Sequence, residues 1–391
     1  MKQSKYIVPV VFGVLFIGFI CFYFISPGKD ISTEEIIEEE IVVVPDTLRL
    51  IFIGDVMVHS TQYNAAWYEG GDTTYNFVPT FQYVKDYISS ADLSMANLEV
   101  PFGGKPYSGY PMFSSPTEIA DALKDTGFDL MFTANNHVAD KGSKGIEGTL
   151  DYLEKLGLLY TGSFKDSASK AANYPLIVEI NNIRLSLLNY TYDTNGMPVR
   201  KPNMVNLIDT LQIRADLEKA KNQNTDYIIT CMHWGYEYHR TEHAEQRELA
   251  HFLAENGSDL ILGAHPHVVQ PYDEIITYRG DTVPVIYSVG NFVSNQQWRY
   301  ADGGIAFEIK LVKENDKTTR ISTGYEPLWV NRFNDHIRSI YRVIPVNDYC
   351  RDSAKYDLNN EQIRKMTLFY EDTKATLKNL PFTGYYDGTA K

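Results

Sequence analysis

A rhythm dominates this chain of 391 residues: from Thr47 onward, short apolar runs alternate with helical patterns. That alternation marks an α/β fold. The predicted strands are Leu48–Ile53, Leu93–Ala96, Leu130–Thr133, Ile183–Asn189, Tyr227–Met232, Leu260–Leu262 and Val283–Ser288. Gly304–Val312 and Ile321–Val330 follow without an intervening helix, so they read as antiparallel strands at a sheet edge or in a second sheet. Helices are expected over Val78–Ser89, Gly145–Leu156, Leu207–Lys221 and Ala244–Asn256. The clearest is SSPTEIADALKDTG, where Ser115 is expected to cap, Pro116 to take the first turn, Glu118 to complete a capping box and Gly127 to close the helix. A last helix, Asn360 to Lys378, is the one strong pattern in the final sixty residues.

Ligands of open α/β sheets gather at the carboxyl ends of strands, and the unusual residues of this chain sit there. Successive runs end in Gly54-Asp55, Asn97-Leu98-Glu99, Asn135-Asn136-His137, His233-Trp234-Gly235, His265-Pro266-His267 and Gly290-Asn291. Singly, each has an ordinary account. Asp55 can form a turn, the asparagines can occupy left-handed positions, and His233 can be a satisfied core imidazole. Those accounts predict scatter, not recurrence at one strand end after another. In ILGAHPHVVQ, Pro266 is expected to keep the chain extended, so that His265 and His267 point to one side. A carboxylate pair with three or four imidazoles is a full ligand set for one or two divalent ions of the Zn, Mn or Fe kind. Such a site lowers the pKa of bound water and polarises a carbonyl or phosphoryl oxygen.

The N-terminus is of another kind. Ile7 to Ile25 is an uncharged apolar run, long enough for a tilted membrane-spanning helix and too long for the core of a cleaved signal. Lys2 and Lys5 precede it and a glutamate-rich stretch follows, so the positive end is expected in the cytoplasm and the body outside. The expected organisation is an anchor over 1–29, an acidic stalk over 30–46, a body over 47–330 and a C-terminal extension, helical in its main pattern, over 331–391. The formal net charge of −14 argues against nucleic acid, whose binders need a basic face. Of the three cysteines, Cys21 lies in the span, and Cys231 and Cys350 read as unpaired thiols. Lys141, Lys144, Arg240, Arg247 and Arg299 read first as solvated charges, and otherwise as a local basic rim for carboxylates.

Taken in order, GDVM (54–57), ANLE (96–99), TANNH with a following D-x-G (133–142), HWGYEY (233–238), GAHPHVVQ (263–270) and YSVGNFV (287–293) resemble the CapA family of poly-γ-glutamate capsule biosynthesis proteins. The resemblance covers roughly Leu48 to Val330. It implies a membrane-anchored, extracytoplasmic protein whose domain is a layered αββα sandwich similar to the calcineurin-like metallophosphoesterases. It further implies polymer synthase or export subunits as partners and an anionic polymer as substrate. Carried over by residue, the metallophosphoesterase pattern makes Asp55, Glu99, Asn136, His233, His265 and His267 ligands for one or two divalent ions. Asn136 and His137 become the catalytic pair, with His137 protonating a leaving group. Asn97, Asn135, Glu237 and Asn291 become candidate substrate contacts. Two departures stand out: Met57 occupies the place of a usual histidine, and Glu99 stands where a bridging aspartate is expected. They leave a one-metal site or a metal-free binding site open beside a two-metal centre. A free-standing envelope hydrolase and a non-catalytic polymer-binding module are the rival functions.

Overall fold

The computed structural model describes residues 46–383 apart from 316, 336 and 337, so the expected anchor and nearly all of the stalk lie outside the described residues. Among the described residues no helix is long and apolar enough to cross a membrane. The chain begins with β1 (Asp46–Val56), α1 (Ser60–Glu69), α2 (Lys85–Ser89), β2 (Leu93–Leu98), α3 (Glu118–Thr126), β3 (Leu130–Phe132), α4 (Gly142–Leu156) and β4 (Leu159–Thr161). It continues with β5 (Ser163–Phe164), α5 (Ser167–Asn173), β6 (Leu176–Ile180), β7 (Ile183–Thr191), β8 (Met204–Val205), α6 (Thr210–Lys221), β9 (Tyr227–His233) and α7 (Ala244–Glu255). Then come β10 (Leu260–Ala264), β11 (Tyr272–Ile276), β12 (Thr282–Ile286), β13 (Asn291–Val293), β14 (Gly303–Glu314), β15 (Lys317–Asp335), β16 (Arg338–Pro345), α8 (Val346–Arg351) and α9 (Asn360–Thr376).

Two sheets carry the architecture. The first runs β16-β15-β14-β1-β2-β3-β4 with β13 on the end of β1, and the second runs β11-β12-β10-β9-β7-β6. In the first, β1 to β4 are parallel and β14 to β16 antiparallel; in the second, the central strands are parallel and the two outer ones antiparallel. Alternating side chains assign the layers. Leu50, Phe52, Met95 and Phe132 of the first sheet pack with Leu185, Leu187, Ile229 and Leu262 of the second. The opposite face of the first sheet, with Ile51, Ile53 and Met131, buries Ile119 and Leu123 of α3 and Leu153 of α4. The opposite face of the second, with Leu188, Ile228 and Ile261, buries Ile213 and Leu217 of α6 and Leu253 of α7. The result is an αββα sandwich whose parallel strands bring their carboxyl ends together between the sheets.

Three expectations need correcting. Residues 331–335 and 338–345 are not helical: they finish β15 and form β16, extending the first sheet, and α8 and α9 follow them. Ser115 does not cap α3. The cap is Thr117, which makes no side-chain capping bond, while the buried Ser115 hydroxyl donates to the Pro116 carbonyl. Gly127 does close the helix, at φ +107°. The stretch 78–89 is a short 3-10 turn followed by α2 rather than one helix. Cys231 and Cys350 are both free.

Candidate metal centre

A bulge aims the first ligand. Leu48, Leu50 and Phe52 face the sandwich interior, and strict alternation would send Asp55 to the opposite face. The register of β1 against β2 shifts between Ile53 and Asp55, so Asp55 comes opposite Asn97. Such a bulge re-aims the side chains beyond it. Gly54 is required there, because a Cβ would stand 1.9 Å from the Gly290 carbonyl oxygen. On β2, Asn97 continues the inward series of Leu93 and Met95, and Glu99 follows two residues on.

The His265–His267 turn is not extended, as the proline had suggested. Both residues have positive φ, +99° and +59°, a conformation that a non-glycine residue holds only when its surroundings over-determine it. Three contacts do so. The His265 amide donates to Asp55 Oδ2 at 3.4 Å, the Tyr238 amide to the Pro266 carbonyl at 2.8 Å, and Asn291 Nδ2 to the His267 carbonyl at 3.2 Å.

Asp55, Glu99, Asn136, His137, His233, His265 and His267 are buried together. The His233 and His265 rings lie 4.7 Å apart and those of His265 and His267 6.0 Å. Two sets of donor atoms, Glu99–His233–His265 and Asp55–Glu99–His267, each fall within 4.8 Å of one another. Glu99 belongs to both. Its Oε1 lies 3.8 Å from Nε2 of His233 and 3.8 Å from Nε2 of His267, and it has no hydrogen-bond partner among the described residues. His265 Nδ1 is likewise buried without one. Asn136 Oδ1 sits 3.0 Å from His233 Nε2, beside the nitrogen that faces Glu99. The donors are oxygens and imidazole nitrogens, a mixture that suits Mn, Fe or Zn. These residues therefore fit one or two divalent ions, and Glu99, common to both groups, stands where the resemblance expects a bridging aspartate.

The electrostatics agree. Burial and the neighbouring Asp55 push the Glu99 carboxyl well above its ordinary pKa. Burial also works to raise Asp55, but hydrogen bonding and charge from His267 outweigh it and the net shift is downward. Burial and the adjacent histidines hold His233 well below its usual value, and burial with His267 lowers His265 to about 3. Both rings are thus neutral near pH 7, with lone pairs free to ligate. Two crowded carboxylates and neutral imidazoles make a pocket short of positive charge.

His137 is held apart from the ligand set. Its Nδ1 lies 2.8 Å from Asp140 Oδ2, an oxygen that also accepts the Phe113 amide at 2.7 Å, and Phe113 meets the ring edge-on. This fixes the ring through Nδ1. Three of the residues expected to contact substrate also donate hydrogen bonds within the protein. Asn97 Nδ2 donates to Asp55 Oδ1 at 2.7 Å and to Glu99 Oε2 at 3.1 Å. Asn135 Nδ2 donates to the Leu98 carbonyl, and Asn291 Nδ2 to His267, Gln296 and Ala301. Glu237 differs, being exposed on the rim of a cavity of about 500 Å³ whose inner wall is His265.

The three arginines of the expected basic rim are engaged within the protein. Arg299 makes two hydrogen bonds to Asp372 of α9, Arg240 donates to α9 and stacks on Tyr300, and Arg247 pairs with Glu242. Tyr192, Asn195 and His59 were not anticipated. The Tyr192 ring lies 4.6 Å from His265, Asn195 accepts from Asn136 at 3.3 Å, and His59 packs on the other edge of the Phe113 pocket. Tyr192 and Asn195 follow the end of β7, so the strand-end rule that found the other residues applies to them too.

Comparison with known proteins gives the family of the chain. The model of the bacterial capsule synthesis protein PGA_cap family matches residues 49–296. The chain belongs to that family. It is 28% identical over 260 residues to the PGA biosynthesis protein CapA of Bacillus subtilis, covering 65% of each chain. To the capsule biosynthesis protein CapA of Bacillus anthracis it is 28% identical over 233 residues, covering 56% of this chain and 54% of that one. The matches thus span between about half and two thirds of these relatives' lengths. Among solved structures, the calcineurin-like phosphoesterase YfkN of Bacillus subtilis aligns with a TM-score of 0.46 at 13% identity, over 84% of this chain and 98% of that one.

Proposed function

We propose that this protein serves the synthesis or export of a poly-γ-glutamate-type capsular polymer through a divalent-metal cleft of the metallophosphoesterase type. Family membership and the names of the two CapA relatives support the polymer. The observation that carries the cleft is Glu99, a buried carboxylate shared by two ligand groups and left with a partnerless oxygen. Asp55, Glu99, His233, His265, His267 and Asn136 would hold one or two ions of Mn, Zn or Fe. When bound, such an ion supplies Lewis-acid polarisation of a carbonyl or phosphoryl oxygen. Asn97 keeps the two carboxylates in register, and Asp140 orients His137 so that a proton is delivered from Nε2.

The uncharged run Ile7 to Ile25, with lysines before it and glutamates after it, supports an uncleaved anchor with the body outside the cytoplasm, beside membrane-bound synthase or export subunits. Protease added to intact spheroplasts is expected to remove the body; a protected body overturns that topology. For the function, cells lacking the protein are complemented with the wild type or with Glu99→Ala and surface polymer is measured. Restoration by the wild type alone is expected. Restoration by Glu99→Ala at equal protein level contradicts the metal cleft.

A second reading rests on the His137–Asp140 pair, the apparatus of a proton donor: a free-standing hydrolase of phosphoester or amide bonds in the envelope. Turnover of a generic phosphodiester by the isolated chain, lost in His137→Ala, would favour it over an accessory role.

A further inference from the structure

The cavity of about 500 Å³ beside the metal centre has a chemistry that the polymer reading does not explain. Its titratable lining comprises the carboxylates Glu237 and Glu245 and the imidazoles His243 and His265, and among the described residues no lysine or arginine lines it. Tyr192, Trp234 and Tyr236 supply aromatic surface, and Ile208 and Leu249 aliphatic surface. At the inner end stands His265, whose Nδ1 is buried and has no hydrogen-bond partner. Trp234 is fully committed, its Nε1 donating to the Tyr287 carbonyl at 2.9 Å, so its indole offers the cavity a face and no donor. Tyr192 and Tyr236 remain roughly half exposed at the opening.

A stretch of polyglutamate cannot lie here. Its carboxylates would meet Glu237 and Glu245 without a compensating guanidinium or ammonium. A cation on an apolar stem meets the opposite situation. Its charge is attracted by two carboxylates and by the faces of aromatic rings, while its stem packs on Ile208 and Leu249. We infer that this cavity is a binding subsite for a primary ammonium carried on an aliphatic chain, such as the amine end of a peptide, a polymer terminus or a lysine-like side chain. The inference goes beyond the metal-cleft reading and does not depend on an ion being bound: the subsite orients an amine-bearing group against the centre and excludes the anionic body of a polymer.

The test uses the full-length chain and three five-carbon probes, 1,5-diaminopentane, glutarate and pentan-1-ol, with binding read by calorimetry and by ligand-observed NMR, with and without chelator. The diamine is expected to bind in either condition, with glutarate and pentanol at least tenfold weaker, about the scale of one charge-assisted hydrogen bond. Glu237 and Glu245 are both exposed, so Glu237→Gln/Glu245→Gln is expected to keep its melting temperature and to lose diamine affinity by about tenfold or more. A control removing two exposed acids elsewhere, Glu218→Gln/Glu314→Gln, separates the cavity from the general field of a chain of net charge −14. Equal weakening in the two double variants overturns the subsite, as does glutarate binding as tightly as the diamine, or no diamine binding at all. Diamine binding that vanishes with chelator also overturns it, by placing the probe on the metal centre, whereas chelator-independent binding without any metal uptake leaves the subsite standing and defeats only the metal reading.

Discussion

Glu99 decides what this site can be. The residue types and their order were legible in the sequence because each follows an apolar run, and the end of a parallel strand is where a side chain leaves the core. The bridging arrangement was not legible. An Asn-x-Glu in place of an aspartate reads as a departure from pattern, and only the approach of His233 and His267 to the same Glu99 oxygen shows that the longer side chain reaches the shared place. The backbone at His265 and His267 was hidden for a related reason: its positive φ values are held by a hydrogen bond to Asp55 of β1 and by bonds from Tyr238 and Asn291, none adjacent in sequence. Two predictions follow at this scale. Asp55→Asn is expected to weaken one ligand group and Glu99→Ala both, read as bound metal per chain by mass spectrometry. Asn97→Ala removes the amide that bridges Asp55 and Glu99 and is expected to lower metal affinity by about 10–100-fold, the usual effect of losing a partner that orients ligands. An unchanged affinity in that variant would show that the two carboxylates hold themselves in place.

The long strands at the centre of each sheet were legible because buried on both faces they read as continuous apolar runs. The strands missed were mostly short or at edges. β5 and β8 have two residues each, β4 and β13 three, and runs of that length carry no periodicity to read. β6 and β16 are edge strands whose mixed burial blurs the pattern. The bulge at Gly54 lies between these cases: a glycine in a strand marks a bulge or a close backbone approach, and here it is both. Gly54→Ala forces a Cβ against the Gly290 carbonyl, and overpacking of this kind costs about 1–3 kcal/mol. A lowered urea midpoint together with reduced metal uptake is expected, since the same shift turns Asp55. By contrast Arg299→Ala, which removes an exposed pair with Asp372 on α9, is expected to cost under about 1 kcal/mol. A larger loss would make the α9 clamp a main support of the 296–301 loop.

The whole molecule carries a pH dependence from groups outside the candidate metal centre. Burial raises Glu326, on β15, from 4.5 to about 8, against two hydrogen bonds from Asn347. Burial also raises Asp259 and Asp302, each from 3.8 to about 6. In each case the folded chain keeps a proton that the unfolded chain has lost, so stability falls as pH rises through the interval between the two pKa values. These three groups each contribute a decline in the melting temperature between about pH 4 and 8, and of the three only Glu326 acts above about pH 6. Glu326→Gln is expected to flatten that upper part; a slope unchanged in the variant would assign it elsewhere. The layered sandwich itself was anticipated only through resemblance, because which helix covers which sheet face depends on contacts among residues far apart in the chain.

The central claim is that one buried glutamate joins two metal-ligand groups. Its most direct test is a metal count on the full-length chain loaded with Mn or Zn, with ions located by anomalous scattering in crystals of the wild type and of Glu99→Gln. The account predicts density flanking Glu99 in the wild type, against His233–His265 and against Asp55–His267, and none at either position in the variant, with the fold unchanged. An ion retained at full occupancy without the Glu99 carboxylate, or no ion in the wild type at saturating metal, would contradict it.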